Sequence, residues 1–274
     1  MTIKNKYSAV YDSSSYKSYN IKILSEFTSI SMDAEWYEIA TANHFWLEWR
    51  LLAMLKQINQ IKIPINKKLK VLEVGCGEGI LRKSIESNTN WDVDAADINL
   101  KVLSKVQSGR GKTILYNIFD ESDSLIDSYD VVLLIDVLEH IHDTKPFIIS
   151  LIKHLKPGGY LLINVPALNT LFSVYDKKMG HFRRYNKKSL TSEFKEVDIK
   201  ILDKRYWGLF MLPLLIIRSG LMVFLKNDET KIVKRGFKPL NDYVNRFFCV
   251  IARLETKLFS KPFLGTSLLL IVQK

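Results

Sequence analysis

Three glycines stand in one five-residue window, Gly75-Cys76-Gly77-Glu78-Gly79, after an apolar run ending at Val74 and before an amphipathic stretch. Glycine permits positive φ and close backbone approach, so the window reads as a nucleotide-type ligand turn at a helix N-terminus. The spacing is GxGxG, one residue short of the GxGxxG dinucleotide fingerprint. Glu73, just upstream, would repel a pyrophosphate and suits a cationic ligand. Asp97 falls twenty residues beyond Gly77, where a carboxylate at the next strand end can accept both ribose hydroxyls. Asp120, at the exit of the following strand, can accept from an adenine exocyclic amine.

A hydroxyl acceptor would need a general base, most often His. The five histidines are His44, His140, His142, His154 and His181. His181 is the leading candidate because of its company in residues 175–185, YDKKMGHFRRY. Asp176, Arg183 and Arg184, with Tyr175 and Tyr185, could orient a base and clamp a phosphate or carboxylate. The competing reading is a solvated basic loop with a structural Arg pair. His140 follows the fourth strand and is the second candidate. His44 lies among Trp and Phe as a pocket or core residue, and His154 is structural. No metal is expected. Two cysteines, Cys76 and Cys249, are too few for a disulfide framework, which places the chain in a reducing cytoplasm.

The elements that must position these groups alternate. Apolar runs at 69–74, 91–98, 112–119, 129–137 and 160–166 are strands; 79–87, 100–107 and 144–155 are helices. The fourth run, YDVVLLIDV, is nearly unbroken, as a strand buried on both faces should be. Strand–helix alternation implies an α/β, doubly wound, Rossmann-like, mostly parallel sheet. A sixth strand near 198–207 and a closing strand in TSLLLIVQK bring the expected count to seven. Helical spacing over 34–60 supplies N-terminal helices, and a helix at 241–259 lies in an insertion before the last strand. The expected divisions are a mobile segment at 1–30, a core at 31–207, a helical lid or membrane-facing insertion at 208–263 and the closing strand at 264–274.

Charge and hydropathy bear on partners. Residues 1–180 hold 21 cations and 21 anions, whereas 181–274 hold 19 and 8, so the whole net charge of +11 lies in the last third. That asymmetry suits an anionic partner, although a codon-driven surplus of Lys would give the same count. The apolar stretch 208–225 is broken by Pro213, Arg218 and Gly220 and is too short to span a bilayer. It reads either as a buried lid helix or as an interfacial helix on an anionic membrane surface.

Four segments carry a family resemblance. VLEVGCGEG, AADI, YDVVLLIDVLEHI and LKPGGYLLINVP occur in that order over 69–166, and together they resemble the class I S-adenosylmethionine-dependent methyltransferases. The resemblance implies that cofactor and a pocket lined by Glu73, Gly75, Cys76 and Gly77, by Asp97 and Ile98, and by Asp120 and Asp136. Cys76 would contribute backbone and packing, not a nucleophile. Arg50, in HFWLEWR, loosely resembles an N-terminal Arg that binds the cofactor carboxylate in quinone-type O-methyltransferases. The loop at 166–185, with HFWLEWR upstream and PFLGTSLLLIVQK at the end, resembles bacterial methyltransferases often encoded with cell-surface polysaccharide genes. The first expectation is therefore O-methylation of a glycan or lipid-linked glycan precursor, in the cytoplasm or at the inner membrane face. The alternative is a quinone-like or other small lipophilic acceptor, and a third reading is a non-enzymatic membrane adaptor. DVLEH stands where base amino-methyltransferases carry (D/N)PPY, which argues against a nucleic-acid substrate.

Overall fold

The computed structural model describes residues 20–26, 44–217 and 241–274. Most of the segment expected to be mobile, the start of the first expected helix with Trp36 and Ile39, and residues 218–240 lie outside the described residues.

One sheet organises the chain. In sequence order its strands are β1 (Ile21–Ile23), β2 (Lys70–Val74), β3 (Asp92–Asp97), β4 (Thr113–Leu115), β5 (Tyr129–Ile135), β6 (Leu155–Pro166), β7 (Lys200–Trp207) and β8 (Ser267–Gln273). Their spatial order is β1-β4-β3-β2-β5-β6-β8-β7. Pairing is parallel from β1 to β6, while β8 runs antiparallel to both β6 and β7. Among the described residues the count is eight, not the seven expected. The added strand is Ile21–Ile23, which pairs with β4 through Ile21↔Thr113; three residues at an edge carry too little alternation to be seen in sequence.

Among the described residues seven α-helices flank the sheet: α1 (Phe45–Gln60), α2 (Ile80–Asn88), α3 (Leu100–Leu103), α4 (Thr144–Lys153), α5 (Val174–Lys178), α6 (Lys187–Ser192) and α7 (Asp242–Leu258). The strand period of two divides the core. Leu72, Val132 and Leu134 face α4 through Phe147, Ile148 and Leu151. Val71, Val131 and Leu133 face α1 and α2 through Trp49, Met54, Ile58 and Ile85. Two expectations shift locally. The helix expected over 100–107 closes after one turn at Leu103, and β6 begins at Leu155, before the Pro157-Gly158-Gly159 turn, with an irregularity opposite Tyr129–Val131.

Candidate functional site

The carboxyl ends of β2, β3, β5 and β6 meet along one edge, where open α/β sheets bind ligands. Gly75, Gly77 and Gly79 all take positive φ (75°, 53° and 75°). The turn is tied to β3, since Gly75 N–H and Cys76 N–H both donate to the Ala96 carbonyl at 2.9 and 3.0 Å. Gly77 N–H donates to Asp97 Oδ2 and Asn99 N–H to Oδ1, each at 2.9 Å. Asp97 thus holds the glycine turn and keeps remaining lone pairs for a ligand hydroxyl. Burial raises its carboxyl above the usual range, opposed by those backbone donors.

Gly75 admits no side chain. A Cβ there would stand 2.5 Å from Val137 Cγ2, whereas one on Gly158, also at positive φ, meets nothing within 4 Å. Gly75→Ala is therefore expected to destabilise the protein by about 2–4 kcal/mol and Gly158→Ala by about 1–2 kcal/mol, in urea titrations of both variants. Equal losses would show that Val137 moves aside freely.

Glu73 is buried at the end of β2, and its Oε2 has no hydrogen-bond partner. Burial pushes its carboxyl up to about 8, against the lowering effect of Arg50 and Arg82. Arg50, buried on α1, places Nη1 2.6 Å from Asp136 Oδ2 and leaves Nε without a partner. Asp136 takes φ 56° beyond β5 and accepts from Asn164 Nδ2. Asn164 Oδ1 in turn accepts from Trp207 Nε1 at 2.8 Å. One polar chain therefore links α1, β5, β6 and β7. Ile98 is half-buried beyond β3, and Asp120 is exposed on the turn after β4. Cys76 is buried, and burial with Asp97 and Glu73 holds its thiol well above the usual range, so it is inert as a nucleophile.

The second half of the site is the 173–185 segment. Asp176 is fully buried in the one-turn helix α5, where it accepts from Ser173 N–H (2.8 Å) and Ser173 Oγ (3.0 Å). Its Oδ1 receives Arg184 Nε at 2.7 Å and lies 3.1 Å from His181 Nδ1. Despite burial, these partners hold its carboxyl far below the usual range. The His181 ring meets His140 edge-on, with centroids 4.7 Å apart. Burial and the neighbouring His181 push His140 down to about 4, so it is neutral at pH 7.

The expected phosphate or carboxylate clamp is not formed. Arg184 is buried on Asp176 and the Ala167 carbonyl, and Arg183 reaches the His142 carbonyl and Glu193. Tyr175 and Tyr185 are buried, and Tyr185 bridges Ala167. The two Arg side chains hold the loop together, while the buried Tyr185 hydroxyl has no hydrogen-bond partner. His44 caps α1 by accepting from Trp46 N–H, and His154 joins Tyr116 to the Ser150 carbonyl.

Sequence reasoning missed Glu139. It is buried with Oε2 unpartnered, and burial together with Asp136 raises its carboxyl well above the usual range. Glu139, His140 and His181 each bring one ligand atom within 4.8 Å of the others. No metal was expected from the sequence, yet this donor set could hold one. The adjacency of Glu139 to His140 was the available signal. A 720 Å³ cavity between α1 and α7, lined by Leu47, Glu48, Asn245 and Arg253 among others, contains none of these groups.

These groups could suit a ligand with vicinal hydroxyls, a positive charge and a carboxylate: Asp97 could accept from the first, Glu73 could face the second, and the buried, unpartnered Nε of Arg50 could meet the third. On this strand order, with a glycine turn that a Cβ would fill, they define the domain of an S-adenosylmethionine-dependent methyltransferase. The chain belongs to the methyltransferase-domain family, which matches residues 45–204. It is 31% identical over 160 residues to the ubiquinone biosynthesis O-methyltransferase of Rickettsia typhi, covering 54% of this chain and 61% of that one. It spans between about a third and two thirds of the length of the curated relatives it matches. Among solved structures, the fold resembles the [4+2]-cyclase SpnF, with a TM-score of 0.53, 14% identity and coverage of 95% and 90%. It also resembles the Haemonchus contortus phosphoethanolamine N-methyltransferase 2 complex with S-adenosyl-L-methionine, with a TM-score of 0.50, 16% identity and coverage of 82% and 51%.

Proposed function

We propose that this protein transfers a methyl group from S-adenosylmethionine to a hydroxyl of a quinone-like or other small lipophilic acceptor. The observation that carries the hydroxyl is the Asp176–His181 pair, a buried carboxylate 3.1 Å from an imidazole nitrogen beside the cofactor edge. The relatives named for ubiquinone biosynthesis O-methylation support the acceptor class, and they favour it over the glycan expected first from sequence. The likeness to a cyclase shows that the fold alone does not dictate methyl transfer.

Bound S-adenosylmethionine supplies a methyl group on a sulfonium, an electrophile that needs no further activation. The chain's own tasks are positioning and proton removal. Asp176 accepts the Nδ1 proton of His181, which fixes the tautomer and leaves Nε2 as the base for the acceptor hydroxyl. The same carboxylate stabilises the imidazolium that results. Arg184 and Ser173 keep Asp176 ionised and still. Glu73 and Arg50 would hold the charged end of the cofactor, and Asp97 would hold its ribose. The test is a panel of quinols, catechols and glycans incubated with methyl-labelled cofactor and read by mass spectrometry. Label on quinols or catechols supports the reading, and label on glycans alone overturns it.

Glu73 gives this site a pH signature. Below about 8 it is protonated and neutral, and a cationic ligand favours the ionised form. Binding therefore releases a proton, and affinity should rise with pH by up to about tenfold per unit until it levels above about 8. Glu73→Gln should bind more weakly at pH 8.5 and lose the slope. Calorimetry in buffers of different ionisation enthalpy reads the released proton directly, and a pH-independent wild type would contradict the assignment.

A further inference from the structure

Helix α7 carries an exposed apolar stripe that the site does not use. Tyr243, Phe247, Val250, Leu254 and Leu258 recur at spacings of four, three, four and four residues, which places them on one helical face. All five are exposed, from 46% at Leu254 to 83% at Tyr243. The opposite face, with Cys249, Ala252 and Glu255, is buried. The stripe is therefore a second apolar face, not the core face turned outward. It continues past the helix, where the Phe210 and Phe259 rings meet at 5.9 Å and Phe263 is 73% exposed.

Its border is cationic. Arg246, Arg253 and Lys257 line one side at helical spacing, and all are exposed; Arg253 is paired with Glu48 of α1 at 2.8 Å, so the net positive charge of the border rests on Arg246 and Lys257. The helix has two acids: Asp242 in the first turn, and Glu255, which is buried and accepts from Gly208 and Phe210 N–H. The exposed face beyond the first turn thus carries apolar groups and cations alone. The candidate occupants differ in charge. A second copy would set this positive rim against itself, and residues 218–240 hold six Lys or Arg against two acids, so either meets like-charge repulsion. An anionic lipid surface supplies an apolar boundary and opposite charge together. No helix among the described residues is long and apolar enough to cross a membrane.

We infer that the Tyr243–Leu258 face of α7 docks this protein on a bilayer surface bearing anionic headgroups. The N-terminal end of α7 meets the start of α1, where Asn245 Oδ1 accepts from Phe45 N–H at 2.8 Å. The inference stands apart from the acceptor reading and needs only the helix face.

Flotation of the full chain with phosphatidylglycerol–phosphatidylcholine vesicles, and with phosphatidylcholine alone, tests it. The wild type is expected to float with the anionic vesicles and about tenfold less with the neutral ones. Phe247→Glu with Leu254→Glu should lose at least about tenfold in bound fraction, and Arg246→Glu with Lys257→Glu should lose the lipid preference. Each variant is checked by thermal melting and by calorimetric binding of S-adenosylmethionine, both expected at the wild-type value; Leu258→Ser replaces the first pair if that pair melts early. Failure of the wild type to float, or unchanged flotation of the stripe variants, overturns the inference. A stripe substitution that only dissolves a dimer in sedimentation, or only exposes residues 218–240 to protease, overturns it in favour of those occupants.

Discussion

Alanine at His181 is expected to lower kcat with a quinol acceptor by about 10²–10⁴-fold while leaving the Kd for S-adenosylmethionine within about threefold. The two readouts separate because His181 bonds Asp176 and meets His140, whereas the proposed cofactor donors lie on the glycine turn, β3 and α1. Asp176→Asn should give a smaller loss in the same direction, since an amide can still hold the ring but can donate to Nδ1 and stabilise the wrong tautomer. That substitution also leaves Arg184 without its buried anion, so stability is expected to fall by about 3–5 kcal/mol. His181→Ala leaves the Asp176–Arg184 pair intact and should cost far less stability. The contrast between the variants distinguishes a base from a brace. If His181→Ala turns over at the wild-type rate, His181 is not the base.

Asp97→Ala is expected to weaken S-adenosylmethionine binding by about 10²–10⁴-fold. One carboxylate there does two jobs: it receives Gly77 and Asn99 N–H, and it is the acceptor assigned to the ribose hydroxyls. Hydrogen bonds to a charged group contribute about 1.5–3 kcal/mol each, so losing two ligand bonds alone gives that range. Asp97→Asn should fall between wild type and alanine, because the amide oxygen can still receive one backbone donor. Equilibrium dialysis with labelled cofactor measures the series. An Asp97→Ala affinity within a few-fold of wild type would remove the ribose assignment.

The features legible in sequence are those encoded locally. The glycine turn, the strand before it and the acid at the end of β3 each lie within a short window whose periodicity states its geometry. The strand at Tyr129–Ile135 was legible because burial on both faces requires an unbroken apolar run. Features set by distant contacts were not legible. Arg50 and Asp136 are 86 residues apart and form an ion pair only because α1 crosses the end of β5. Arg184 read as part of a clamp for an acidic ligand, yet it pairs with Asp176 in the interior. Charged residue types announce chemistry without saying whether it is turned inward, and Glu139 shows the same limit. The edge strand Ile21–Ile23 escaped because three residues are too few to state a period.

The central claim is that the edge formed by Glu73, Gly75 and Asp97 binds S-adenosylmethionine, and isothermal titration calorimetry of the full chain tests it most directly. The expected result is saturable one-site binding of S-adenosylmethionine and of S-adenosylhomocysteine, lost in Asp97→Ala, with no heat from NAD. Saturable binding of NAD with none of S-adenosylmethionine would contradict the account.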